Sequence, residues 1–476
     1  MTNQEQYSQK LGTLADAQAL IRSGDIIAVS GAITEPVVFL GRLQDIIPRL
    51  ENVTLLKSKD NDYDYLRDPA TAGHILTLGH FYHTNFREGH ALGITSYLPS
   101  DLHNYMANRT AYKPNNVFIA KVTDMDENGN FQIPYCQMFE REAYACAETV
   151  ILEINPRFRR VRGGVDIPIE RVTCCYVADS PILTIPRSQH TAIDETIGAS
   201  IAQMIHDGDC IQLGIGGLPD TIGRHLFQKN DLGIHSEVFS STMADLIENG
   251  NVTGKRKQID RGEHIAAFAL GDDHLYATLS DNPACRIVPS SYANDPFVIA
   301  QNDNVISVNT ALEIDLTGQI CSESIGPVQW SGTGGAADFA FGAMRSKGGR
   351  GVIAFSSTAK GGTVSRIKSI LTPGAAVSIS RNLADIIVTE YGVAYLRGRS
   401  VRERAAQLIE LGSELCKVKL HPLSSRREAG ELADLIDRLT PEYMRLWNER
   451  NYEKGRERFG DMLIARRDEL RALAQG

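Results

Sequence analysis

Short apolar runs recur along the chain and alternate with stretches whose apolar residues fall three and four apart. "NVTLLKS", "NVFIAKVT", "TVILEIN" and "RVTCCYVA" read as strands in the first half. "CIQLGI", "FVIAQNDNVISVN", "GVIAFSS" and "IIVTEYG" do so in the second. Runs that are apolar throughout suit strands buried on both faces, with helices between them supplying the cover. The pattern predicts an α/β protein with largely parallel sheets.

One stretch occurs twice. "IRSGDIIAVSGAITEP" begins at Ile21 and "IHDGDCIQLGIGGLPD" at Ile205, an offset of 184 residues. Helical patterns, "LADAQALI" and "AIDETIGASIAQMI", precede the two copies. The offset is close to the size of one α/β domain and predicts two similar open domains. Two prolines in "DSPILTIPRSQHTA" interrupt any regular element, so the boundary is placed near residue 187. The domains are then 1–187 and 188–476, and the tail from about 424 reads as helical and is expected to pack across the second domain.

Composition narrows the class. At 476 residues the chain is long enough for two cores, and 42% hydrophobic with 22% charged residues suits a soluble protein. Its formal charge of −9 is spread along the chain, without the basic surface that nucleic acid requires. No run approaches the roughly 20 apolar residues of a membrane span. The N-terminus shows no secretory pattern. The eight cysteines, at 136, 146, 174, 175, 210, 285, 321 and 416, form no CxxC pair. Buried thiols in the cytoplasm are the expectation.

Candidate chemistry gathers at glycine turns. "LGIGGLPD" follows an apolar run and opens a helical pattern, so its amides can face something negative. Gly214 and Gly216 match the start of a dinucleotide fingerprint, and Glu237 falls where a ribose-binding acid would. The third glycine of that fingerprint is replaced by Pro219. "GNVTGKR" at 250–256 has the wrong spacing for a nucleotide-triphosphate loop and reads as an exposed turn. "WSGTGGAADF" and "STAKGGTVSRI" add two more glycine turns in the same half, which suits a ligand crevice at the strands' C-terminal ends. His80, His83 and His90 in "HFYHTNFREGH" lack a matching ligand set, and no metal is expected. No GxSxG elbow occurs.

With "GIHSEVFSS" the motifs line up in order: "LGIGGLPD", "GIHSEVFSS", "VNTALEIDLTGQ", "SGTGGAADF", "AKGG" and "VTEYGVAYLRG". This set resembles the acetyl-CoA hydrolase/transferase family, in particular its class I 4-hydroxybutyrate and butyryl CoA-transferases. "NFREGHALGITSYLPSDL" and "DENGNF" match more loosely. The resemblance implies that Glu237 is a nucleophile lying between the two domains. It further implies that Gly214, Ile215, Gly216, Gly217 and Leu218 form a CoA-binding loop, and that Asn309, Gly332 and Lys360 contact CoA. No cofactor is then needed beyond the substrate coenzyme A. The partners implied are an acyl-CoA, a short-chain carboxylate, and further copies of the chain as a homodimer or higher homo-oligomer.

Departures from the family pattern stand at Thr333, Ala336 and Ala337, in "TDMDENGNF" and in "YCQMFEREAYACAE". They lie where selection of the carboxylate is expected. The implied reaction runs through a glutamyl-CoA thioester. A carboxylate is ionised at neutral pH, so no histidine base is required. Hydrolysis at the same site, a nucleotide-dependent dehydrogenase and a non-catalytic CoA binder are the alternatives. Glu390 reads as structural support or a helix-start acid. Glu35, in the repeated turn, would face the acyl end.

Overall fold

The computed structural model describes residues 1–58, 61–361 and 364–412, together with 434, 437, 464, 465 and 467–472. The expected helical tail lies for the most part outside the described residues.

The first half is a seven-stranded sheet made of Ile26–Val29 (β1), Val53–Leu56 (β2), Ile75–Gly79 (β3), Thr95–Tyr97 (β4), Val117–Val122 (β5), Thr149–Ile154 (β6) and Cys174–Val177 (β7). Its order is β4-β3-β2-β1-β5-β6-β7, parallel throughout. The second half repeats this order. Its strands are Cys210–Leu213 (β8), Gly233–Phe239 (β9), His264–Ala269 (β10), Cys285–Ile287 (β11), Val305–Asn309 (β12), Arg350–Ala354 (β13) and Ile386–Thr389 (β14). They run β11-β10-β9-β8-β12-β13-β14, all parallel, and Gly392–Tyr395 (β15) closes the edge antiparallel to β14.

In each sheet the first strand in sequence lies at the centre, where the connections switch direction, so a crevice opens there at the strands' C-terminal ends. β1 and β8 are buried at every position, as continuous apolar runs require. Between β7 and the helix Ala192–Met204 the chain forms no regular element. Five helices matter below: Val37–Gly41 (α1), Ala192–Met204 (α2), Gly217–His225 (α3), Ser290–Ala293 (α4) and Ala336–Arg345 (α5). The two halves also join through main chain, with Gln137 donating to the Ala267 carbonyl at 2.8 Å and Ala269 to that of Tyr135 at 2.9 Å.

Three expectations change. "FVIAQNDNVISVN" is not one strand. Phe297–Ile299 belong to a short helix, because Asp295 accepts from the Phe297 amide and Pro296 occupies its first turn. Asn304 then turns with φ 53° before β12 starts. The turn at 250–256 is half-buried rather than exposed, since Asn251 donates to the Phe227 and Lys229 carbonyls. Finally, Cys146 is exposed, whereas Cys136, Cys174, Cys175, Cys210, Cys285 and Cys321 are buried. Among the described residues no helix is long and apolar enough to cross a membrane.

Candidate active site

β8 leaves the sheet at Leu213, while its neighbour β9 continues to Phe239. Glu237 therefore stands past the end of β8, beside the glycine turn. Ser236 ties the two elements together by donating to the Leu213 carbonyl at 3.3 Å. Gly216, with φ 112°, makes the turn that starts α3, and no side chain caps that helix. Leu218 anchors the turn in the core, Ile215 is exposed, and Gly217 lies against the Gln189 carbonyl. Gly214 has open room beside it, with Pro219 at 3.9 Å from where a Cβ would stand. The turn is shaped to bring backbone close to a ligand.

Two neighbours hold the Glu237 carboxylate. Asn294, just past α4, donates from Nδ2 to Oε2 at 3.0 Å, and the Gly335 amide also donates to it. Gly334, with φ 51°, and Gly335 form a lid over the carboxylate. A Cβ on Gly335 would stand 2.1 Å from Oε2, so this position admits only glycine while Glu237 keeps its place. Burial raises Glu237 from its ordinary 4.5 to about 7, the two hydrogen bonds pull the other way, and Asp338 adds to the rise. Among the described residues no cation pairs with it.

The other predicted residues scatter. Asn309 ends β12 and exchanges amide hydrogen bonds with Gln212 of β8 at 3.2 and 3.4 Å, which places it at the switch point of the sheet. Gly332 faces the first half, and a Cβ there would lie 2.1 Å from the His80 carbonyl. Lys360 is exposed in a separate turn between Thr358–Ala359 and Val364–Ser365, with φ 51°. Glu390 accepts from the Ser357 amide at 2.8 Å and hydroxyl at 2.6 Å, so it is structural support at a hairpin and starts no helix. Glu35 is buried against Lys57 at 2.9 Å and Tyr63 at 2.8 Å, its charge already matched within the first half. His80 is buried and held near 4 by that burial. His83 pairs with Asp62, and His90 with the Tyr82 hydroxyl.

The sequence reading missed Asn294, Gly335, Asp338 and His103. Asn294 is fully buried and its Oδ1 has no partner. Nothing in "SYANDPF" marks it, because only the packing of α4 brings it to Glu237. The glycines of "SGTGG" were visible as a turn, but not as the lid of a carboxylate. The loosely matching stretch 85–102 and its neighbours form the face that receives this turn. Arg87 stacks on the Trp330 ring at 3.6 Å and donates to its carbonyl, Tyr97 donates to Glu323 at 2.7 Å, and His103 binds Asp338. Asn294 and the Gly335 amide thus hold Glu237, whose side chain is half-buried beside the glycine turn.

Sequence profiles of the acetyl-CoA hydrolase/transferase N-terminal and C-terminal domains match residues 1–186 and 271–420. The chain is 38% identical to a succinyl-CoA:cyclohexane-1-carboxylate CoA transferase of Geobacter metallireducens, over 86% of this chain and 93% of that one. It is 34% identical to a 4-hydroxybutyrate coenzyme A transferase of Clostridium kluyveri, over 86% and 95%. The crystal structure of RipA from Yersinia pestis superposes with a TM-score of 0.82 at 32% identity, covering 92% of this chain and 99% of that one.

Proposed function

The chain belongs to the acetyl-CoA hydrolase/transferase family, and on that premise we propose that it moves coenzyme A between a short-chain acyl-CoA and a carboxylate, with Glu237 as the covalent carrier. The observation that carries this reading is the setting of Glu237: a half-buried carboxylate with no cation among the described residues, steered by one amide side chain beside an uncapped helix start. A carboxylate that no cation pairs with keeps its lone pairs available for attack.

Glu237 attacks the acyl-CoA carbonyl and expels CoA thiolate, leaving a mixed anhydride. The thiolate attacks the glutamyl carbonyl, which frees the first acid as its carboxylate and leaves Glu237 bound to CoA as a thioester. An acceptor carboxylate attacks that thioester to form a second anhydride and release the thiolate. The thiolate then takes the new acyl group and restores Glu237. Each addition puts negative charge on a carbonyl oxygen. The 214–218 turn, which leaves β8 next to the strand that carries Glu237, is the source of amide donors this reading calls for, and loss of one such donor typically adds about 3–4 kcal/mol to a barrier. The two halves close over the site through Arg87, Tyr97 and His103, which supports exclusion of water from the anhydride.

The test is intact-protein mass after incubation with acetyl-CoA and no acceptor, with peptide mapping. A CoA-sized adduct on Glu237, discharged by a second carboxylate to give its acyl-CoA, is expected. Steady release of free CoA without acceptor would instead mark a hydrolase, and no adduct with any acyl-CoA would remove Glu237 from the mechanism.

A further inference from the structure

Asp338 lies in the first turn of α5, directly after the Gly334–Gly335 lid, and only 2% of its side chain is exposed. An acid in that position ordinarily caps its own helix, but this one reaches across to the first half. The His103 ring binds its Oδ1 through Nδ1 at 2.7 Å, and the His103 amide donates to Oδ2 at 3.3 Å. His103 sits in the short turn Leu102–Asn104, which is itself held to α4 by Ser290 donating to the Leu102 carbonyl. Asn294, the donor to Glu237, follows that same helix. One turn of the first half thus touches both elements that hold the Glu237 carboxylate.

We propose that His103 is a positioning residue for Glu237: bound to Asp338, it fixes the Gly334–Gly335 lid over the carboxylate and offsets the Asp338 charge beside it. The proposal rests on the carrier role given to Glu237 above. Its geometric part follows from the lid's tolerance, since Gly335 approaches Oε2 too closely for even a methyl group. A shift of α5 by about 1 Å would misplace the attacking oxygen, and misplacements of that size cost about 100-fold in rate.

The electrostatic part follows from which groups face one another. His103 is faced by Asp338 of α5, by Asp101 of its own loop and by Asp295 ahead of the next helix. Its hydrogen bond to Asp338 above all raises the ring from the ordinary 6.5. Asp338 is raised by burial and lowered by His103. Glu237 is faced by Asp338 as its charged neighbour. A protonated ring makes the His103–Asp338 pair neutral towards Glu237, and loss of that charge leaves Asp338 to oppose ionisation of the nucleophile. The Asn104 amide, 2.7 Å from Nε2, can turn either its N–H or its oxygen to the ring and so serves both protonation states.

The test uses full-length His103→Gln and Asp338→Asn, with adduct formation from acetyl-CoA followed against pH by intact mass, and kcat and KM measured alongside. Glutamine keeps a donor to Asp338 without the charge. It is expected to move the acidic limb of the profile up by about one pH unit and to lower kcat more than it raises KM. Asparagine at 338 removes the acid that a neutral ring would leave unopposed, so it is expected to keep the limb at or below its wild-type place. A limb that stays in place in His103→Gln, or moves up in both variants, overturns the proposal and leaves His103 a packing contact. Wild-type protein that forms no adduct overturns the Glu237 reading as well, so the two failures are told apart.

Discussion

The turns that leave β1 and β8 occupy the same place in two sheets of the same order, yet they meet different fates. In the first half Ile27 pairs with Leu55, and in the second Ile211 pairs with Ile234. Counting three residues on from Leu55 and Ile234 reaches Ser58 in one half and Glu237 in the other. The first turn is filled by the chain itself. Glu140 accepts from the Gly31 amide at 2.8 Å and the Phe139 amide at 2.9 Å, and Glu153 accepts from the Val38 and Phe39 amides at the start of α1. In the second half no side chain caps α3, and the acid beside the turn, Glu237, is held by Asn294 and a glycine lid that belong to other elements. A repeated scaffold supplies two similar turns, and the side chains around them decide that one closes on itself while the other stays open to a ligand. The first arrangement satisfies buried amides and stabilises the fold, whereas the second half-buries an ionisable carboxylate without a cation and weakens it.

Glu237→Gln separates the two roles most strongly. Turnover and the CoA adduct should fall by about 1,000-fold or more, because an amide cannot form the anhydride. The same variant should be more stable than wild type at pH 8. Glu237 titrates near 7 in the folded protein against 4.5 ordinarily, so the native state holds the proton more tightly and loses stability as pH rises between those values. Removing the charge recovers up to about 3 kcal/mol above that window. Urea unfolding at pH 5 and pH 8 checks the sign, and equal stability of the variant and wild type at pH 8 would contradict it.

Gly335→Ala comes next, with a methyl group 2.1 Å from Oε2. We expect kcat to fall about 100-fold through displacement of the carboxylate, while the unfolding midpoint stays within a few degrees. Glu140→Ala should do the reverse. It orphans the Gly31 and Phe139 amides and lowers stability by about 3 kcal/mol, and the rate per folded molecule should change by less than about threefold. Gly31→Ala is the mildest. Its Cβ would meet the ends of the Met138 and Ser58 side chains at 2.7 Å, both of which can move, and its φ of −105° suits any residue. About 1 kcal/mol of lost stability is expected, and a large loss of rate there would break the contrast between the halves.

Much of the fold was legible because strands buried on both faces must be apolar along their length, and most of the quoted runs became strands. "FVIAQNDNVISVN" misled, since the apolar residues of a short helix and of the following strand look alike until the Asp295–Pro296 start is given its weight. The glycine turn beside β8 was visible as a turn, and Glu237 was singled out through the family's ordered motifs. Glu35 stood in the repeated turn and was expected to face the acyl end, but Lys57 and Tyr63 claim it.

By itself the sequence determined the repeat, the parallel α/β architecture and the glycine turns, because each of these follows from local periodicity and local backbone freedom. Only the tertiary structure decided which acid stays unpaired, what steers it and what covers it. Asn294, Gly335 and Asp338 lie 57, 98 and 101 residues after Glu237, and His103 lies 134 before it. No local pattern links such positions. Asn294, Gly335 and Asp338 meet Glu237 through the packing of the second half, His103 joins them across the contact between the halves, and burial there sets the charge and reach of each side chain.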